Sequence, residues 1–209
     1  IPLLAGGTIL EDGRVVPVLN PDGLIAALSA TAATSEQSAP THRVAPRRVL
    51  DLGANTGIFS FLASQQNALT VATDFDAVAV DILYREMKSR QERNLLPLVL
   101  DVTSPTPGLG WGNTERLPFF HRGSFDVVLC LALVHHLALR QNLPLEQIAQ
   151  FLKPLSPWLI IEFVPKEDSQ SQRLLQRKQD IFPRYTRDGF LTAFHHDFTV
   201  HQQFAVGDS

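Results

Sequence analysis

The stretch Val49-Leu-Asp-Leu-Gly-Ala-Asn-Thr-Gly57, followed by Ile58-Phe-Ser-Phe-Leu-Ala63, constrains the fold more than any other part of the chain. An apolar run of strand length, a turn bracketed by Gly53 and Gly57, and a helix-forming run follow one another directly. Asp51 sits at the carboxyl end of the strand. Glycine lets the backbone turn sharply and approach a ligand closely, and the first N–H groups of a helix add donors. A strand–turn–helix unit of this kind builds a nucleotide-type pocket at the edge of an open α/β sheet. The dinucleotide spacing G-x-G-x-x-G is not met, since it needs glycine at Asn55 and at Ile58.

The same unit recurs downstream. Arg48 to Leu52 is expected as a first strand, and its helix carries Ile58, Phe61 and Leu62 on one face. Ala68 to Thr73 is the second strand, ending at Asp74, and Val80, Leu83, Tyr84 and Met87 form the apolar stripe of the next helix. Leu95 to Leu100 is the third, ending at Asp101. Pro105, Pro107, Gly108, Gly110 and Gly112 then break the chain into irregular loop. The apolar run Phe125 to Leu133 suits a central strand covered on both faces. Pro144 is placed as the first residue of a helix to about Leu152, and Trp158 to Val164 is a fifth strand. Ser169 with Gln172 matches a capping box, and a last helix, Arg187 to Phe194, leads to a strand near Phe198 to Val206. Repeated strand–helix alternation predicts an α/β, Rossmann-like, doubly wound and mainly parallel sheet. Ahead of it, Glu11-Asp12-Gly13-Arg14 marks a hairpin within Thr8 to Val18, Pro21-Asp22-Gly23 opens a helix from Leu24 to Ala33, and Thr34 to Pro46 has linker composition. Residues 1–46 are therefore expected as an appendage and linker, and 47–209 as the main domain.

At 209 residues, with 44% apolar and 19% charged residues, the chain has ordinary globular composition. A net charge of −3 gives no electrostatic footprint for nucleic acid, and the basic clusters at Arg43, Arg47 and Arg48 and from Arg173 to Arg187 read as solvated faces. No apolar stretch reaches membrane-span length and no signal peptide is seen, so a cytoplasmic location is expected. Cys130, the one cysteine, lies in an apolar run and reads as a small buried hydrophobe. No metal site is expected, because His135-His136 and His195-His196 are adjacent pairs rather than i, i+4 ligands. No G-x-S-x-G elbow or P-loop occurs.

An acidic residue two places before the first glycine is the mark of S-adenosylmethionine (SAM) binding. Taken in order, Asp51-Leu-Gly-Ala-Asn-Thr-Gly57, Gly110-Trp-Gly112, Leu131-Ala-Leu-Val-His-His-Leu137, Ile160-Ile-Glu-Phe-Val-Pro-Lys-Glu-Asp168 and Asp180-Ile-Phe-Pro-Arg-Tyr-Thr186 resemble the class I SAM-dependent methyltransferases. Within that class they look like the bacterial subgroup described as nodulation-protein-related methyltransferases. The resemblance covers about Val49 to Val206. It implies a seven-stranded sheet whose last strand is antiparallel and inserted between strands five and six. The chain opens at Ile1 and stops at Ser209, just after the sixth strand, so the last strand is expected to be missing and the native chain to continue.

The resemblance also implies the site. Asp51, Gly53, Ala54, Asn55 and Gly57 would surround the amino acid end of SAM, with Asp51 taking the ammonium, or else capping a neighbouring turn. Asp74 would accept both ribose hydroxyls, Phe75 would lie on the adenine, and Asp76 would cap the next helix. Asp101 would accept from the adenine amino group and Val102 would give a backbone N–H, unless Asp101 only closes an Asx turn before Pro105. Trp111 would cover adenine or acceptor, or merely pin its loop. His135 and His136 are the candidate proton acceptors, at least one of them expected to shape the turn instead. Glu162, inside an apolar strand, needs a partner if buried, and Lys166 to Asp168 read as solvated loop and helix start. The implied activity is methyl transfer from SAM to a small-molecule O- or N-nucleophile, releasing S-adenosylhomocysteine (SAH). The rival is a catalytically silent SAM-binding domain in a larger assembly. A nicotinamide dehydrogenase is disfavoured by Asn55, and nucleic-acid modification by the lack of an Asn-Pro-Pro-Tyr, Asp-Pro-Pro-Tyr or Pro-Cys motif.

Overall fold

A computed structural model describes residues 2–6, 47–176 and 178–204. The hairpin, helix and linker expected between 8 and 46, and Arg43, lie outside them. In chain order the elements are β1 (Pro2–Gly6), β2 (Arg48–Leu52), α1 (Ile58–Gln65), β3 (Leu69–Asp74), α2 (Ala77–Ser89), β4 (Leu95–Val99), β5 (Val127–Cys130), α3 (Leu145–Leu152), β6 (Trp158–Ile161), α4 (Ser169–Leu175), α5 (Arg187–His195) and β7 (Thr199–Phe204). Two compact units divide the chain, Gln37–Val128 and Ile1–Glu36 with Leu129–Ser209.

In the unit Gln37–Val128, β2, β3 and β4 pair in parallel, with Leu50 opposite Val71 and Val71 opposite Leu96. Val49, Leu50 and Leu52 are buried, as a strand covered on both faces requires. The helix faces differ from expectation. On α1 the buried residues are Ser60, Phe61, Ala63 and Ser64, while Ile58 is 67% exposed. Two small serines at i, i+4 let the helix sit close, and each satisfies its hydroxyl: Ser60 donates to Asp51, Ser64 to the Phe61 carbonyl. On α2 the buried stripe is Ala79, Val80 and Leu83, with Met87 partly buried against the same cluster; Tyr84 turns outward. Asp76 caps this helix by accepting from the Val78 N–H at 2.8 Å. The Gly-Pro loop holds a small antiparallel bridge, Leu109 with Arg116, and a short 3₁₀ turn at Trp111–Asn113.

Strand β5 is shorter than its apolar run. Asp126 takes the Arg48 N–H on its carboxylate at 2.7 Å and returns its own N–H to the Arg48 carbonyl at 2.8 Å, which fixes the entry. At the exit, Ala132 adopts φ 47, and His136–Arg140 form a π-turn.

In the other unit, β1 pairs in parallel with both β6 and β7: Leu4 lies opposite Ile160 on one side and Gln202 on the other. The gap expected between the fifth and sixth strands is thus filled by the N-terminal strand, parallel where the resemblance implied antiparallel. Two neighbouring strands with open ladders need a partner, and residues 2–6 supply it. Helix α5 buries Phe190 and Phe194, their rings 4.5 Å apart, and Phe198 and Phe163 extend the aromatic row. Helix α3 buries Leu145, Ile148, Ala149 and Leu152. Pro144 stands one place outside it, with extended ψ, its carbonyl accepting from Gln147 and Ile148. The cap of α4 is Asp168, one residue before the expected Ser169; it accepts from the Gln170 and Ser171 N–H groups, and Gln172 reaches back to the Lys166 carbonyl. Cys130 is buried.

Candidate active site

The sequence-predicted residues fall into two clusters, one in each unit.

In the unit Gln37–Val128 the glycine turn is tied to β3. The Gly53 and Ala54 N–H groups both donate to the Thr73 carbonyl, at 2.8 and 2.9 Å, and Gly57 N–H donates to the Ala54 carbonyl at 2.8 Å. Asn55, with φ 50, gives its N–H to Asp74 Oδ2 at 2.8 Å. Those four donors therefore shape the turn rather than point outward, contrary to the simplest reading of a glycine loop. Gly57 has φ 84, and a Cβ there would lie 2.3 Å from Leu83 Cδ1, so both conformation and close approach to α2 exclude a side chain.

Asp51 is buried and accepts from Ser60 Oγ at 2.5 Å. Burial pushes its carboxyl up to about 6, against the Ser60 bond, which lowers it, and with a smaller push from Asp74. No spacing rule pointed to Ser60; only the packing of α1 on β2 brings its hydroxyl to Asp51.

Asp74 ends β3 with each oxygen holding one backbone donor: Oδ2 takes Asn55 N–H, and Oδ1 takes Asp76 N–H at 2.9 Å. A carboxylate oxygen has two acceptor sites, so a fixed, two-pronged acceptor remains for a vicinal diol. Phe75 beside it is 58% exposed, a ring face suited to a base. The fit of this end of the sheet to a nucleoside is good. Leu100 N–H donates to the Asp74 carbonyl at 2.8 Å, which ties the end of β3 to the start of the Asp101 segment. Asp101 is exposed, and its Oδ1 accepts both the N–H and the hydroxyl of Thr103, the Asx-turn alternative. Val102 is half-buried beside it. Trp111 is 88% exposed, which rules out its pinning the loop.

In the unit with Leu129–Ser209, His135 and His136 lie with ring centroids 4.2 Å apart, His135 buried and His136 half-buried. Burial drives His135 down to about 3, His136 adds to the fall, and Asp168 opposes it. Glu162, one residue past β6, is 2% exposed. Its Oε2 accepts the Ala132 N–H at 2.8 Å, and its N–H donates to the Cys130 carbonyl at 3.1 Å. Asp168 is buried, and Lys166 is held by Asp180 at 2.7 Å and by the Phe182 carbonyl at 2.7 Å, so of the expected solvated triplet only Glu167 is exposed. Tyr185, part of the Asp180 to Thr186 motif but given no role from the sequence, is buried and donates to the Val164 carbonyl at 2.7 Å.

A parallel α/β sheet with acids at successive strand ends is the arrangement of the Rossmann-like class of nucleotide-binding folds. The sequence model of a family described as "Methyltransferase domain" matches residues 23–201, and the chain belongs to that family. The nodulation protein NoeA of Rhizobium meliloti (strain 1021) is 42% identical over 149 residues, covering 71% of this chain and 31% of NoeA, so the chain spans about a third of that relative's length. Two structures of WbdD share the fold. The monomeric form aligns over 90% of this chain and 42% of its own, with a TM-score of 0.52 and 19% identity. The other, described as a bifunctional kinase-methyltransferase, aligns over 80% of this chain and 33% of its own, with a TM-score of 0.53 and 17% identity. The chain is a SAM-dependent methyltransferase domain of class I fold. Among the described residues no helix is long and apolar enough to cross a membrane.

Proposed function

We propose that the domain moves a methyl group from SAM to an oxygen or nitrogen of a small-molecule acceptor, releasing SAH. The observation that carries the cofactor half is the Asp74 carboxylate, held by the Asn55 and Asp76 N–H groups beside the exposed Phe75 ring. When bound, SAM supplies a methyl group on a positively charged sulfur, which is the leaving group of the transfer. Asp74 would hold the ribose hydroxyls, Phe75 the adenine face, and Asp101 with Val102 the adenine edge. Asp51 would serve the amino acid end with Gly53, Ala54, Asn55 and Gly57 shaping the backbone around it. The protein's work is then alignment and exclusion of water.

For the acceptor half, the support is the buried polar cluster at the carboxyl ends of β5 and β6. In an α/β sheet these ends are the ligand-binding edge. An imidazole held near 3 is a weak base, so His135 stays neutral in this reading and is not the proton acceptor. His136, half-buried at the start of the π-turn, is the better exposed of the pair. A small acceptor, no nucleic acid or membrane partner, and a cytoplasmic location belong to this same reading.

Calorimetry with SAM and SAH tests the first half, with binding of both expected. Labelled SAM offered with a bacterial metabolite extract tests the second, with labelled small-molecule product expected. Binding without any labelled product would make the chain a silent SAM-binding domain instead.

A further inference from the structure

Two residues past the end of β5 stands a strained residue. Ala132 has φ 47, a left-handed conformation that a residue with a Cβ adopts only at a cost. The kink aims its N–H at Glu162 Oε2, 2.8 Å away. Glu162 is buried at the neighbouring strand end, and among the described residues its Oε1 accepts no hydrogen bond and is closed to solvent. Holding Ala132 alone does not explain a carboxyl here, since a glutamine would offer the same acceptor without burying an acid. Tyr185 does not serve Oε1, because its hydroxyl hydrogen is given to the Val164 carbonyl. A fixed oxygen on one side and an unsatisfied one on the other, at the sheet's ligand-binding edge, is an arrangement completed by a donor from outside the protein.

We propose that Glu162 is the proton acceptor of the methyl-transfer site: Ala132 N–H fixes its Oε2, and Oε1 takes the hydrogen of the hydroxyl or amine that is methylated. This rests on the reading of the domain as a methyltransferase with an oxygen or nitrogen acceptor. The acceptor's O–H or N–H bond breaks and the proton passes to Oε1. The electron pair left on the acceptor atom forms the bond to the methyl carbon, and the pair of the broken carbon–sulfur bond stays on sulfur. Burial raises the Glu162 carboxyl to about 7, the Ala132 N–H works against that rise, and Asp168 adds to it. The titratable groups facing it are Asp168, ahead of α4, and Tyr185, ahead of α5; His135, on the turn after β5, faces the same Asp168. A base near neutrality is matched to proton capture where an imidazole near 3 is not.

Glu162→Gln keeps an oxygen for Ala132 and removes the base. With tritiated SAM and an aqueous bacterial metabolite extract as probe, transfer is expected to fall about 100-fold or more, and the rise of rate with pH through about 7 to disappear. SAH affinity by calorimetry is expected to stay close to wild type, as is the unfolding temperature at acid pH, where Glu162 is protonated. In wild-type protein carrying 13C-labelled glutamate carboxyls, one resonance is expected to titrate near 7 and to be missing from the variant. Transfer by Glu162→Gln at the wild-type rate, with an unchanged pH profile, would overturn the proposal and leave the methyltransferase reading standing. So would a Glu162 resonance titrating at the ordinary glutamate value, a result independent of whether the variant folds. A wild-type protein that binds no SAH and transfers no label would overturn the underlying reading and the proposal with it.

Discussion

The Asp51–Ser60 pair shows how a single hydroxyl governs a site residue. Asp51 is buried, and Ser60 gives it a hydrogen bond of 2.5 Å that works against the cost of burial. Ser60→Ala is expected to raise the Asp51 pKa above 6 and to destabilise the fold by about 1–3 kcal/mol, the cost of a buried acceptor left short of a donor. Urea unfolding near pH 7 measures the loss. In an Asp51→Asn background the same substitution is expected to cost less, because an amide carries no charge to stabilise. A Ser60→Ala variant as stable as wild type would show that the bond is not formed in solution.

At the scale of elements, Gly57 joins the glycine turn to α2. Gly57→Ala meets a backbone at φ 84 and a contact of 2.3 Å with Leu83, so a loss of about 1–3 kcal/mol is expected from strain and overpacking together. Weakened SAH binding should accompany it, read by calorimetry beside a thermal melt. Strand β1 offers a second test. Leu4 is paired on both sides, to Ile160 and to Gln202, and proline there removes a ladder donor. Leu4→Pro is expected to cost about 3 kcal/mol or more, seen as a lowered melting temperature. These elements differ in how far the sequence disclosed them. The bounds of β2 were legible because its apolar run ends at a glycine, and Asp74 and Asp76 were legible because each closes or opens an element by local chemistry. Ser60, Ala132 and Asp168 were not. Their roles come from partners that packing supplies, or, for Asp168, from a cap displaced by one residue. The strand role of Pro2–Gly6 was hidden for the same reason, since its partners lie far along the chain.

For the whole molecule, three buried groups oppose one another in pH. Asp51 and Glu162 are raised to about 6 and about 7, so their stabilising contribution is full below about pH 4 and is lost as pH rises through those values. His135 is lowered to about 3, so its contribution is full above about pH 6.5 and is lost as pH falls. Near pH 5.5 the two acids outweigh the imidazole, and together the three lower stability by about 1 kcal/mol per pH unit as pH rises. His135→Asn removes the counterweight and should steepen that slope to about 2 kcal/mol per pH unit; Glu162→Gln should bring it near zero. Denaturant titrations of the three proteins between pH 5 and 6 check this, since comparing variants cancels the remaining groups. Identical slopes would mean that the two side chains are solvated rather than buried.

Strand β1 also sets a timetable. Leu3 pairs with Leu159 on one side and with Val200 on the other, so its ladder joins segments separated by about 150 residues or more. A ribosome making this chain releases β1 long before either partner exists. Until β6 has been made that segment travels as a lone strand with both edges open, one edge stays open until β7 follows, and the parallel sheet of its unit is one of the last parts of the molecule able to close.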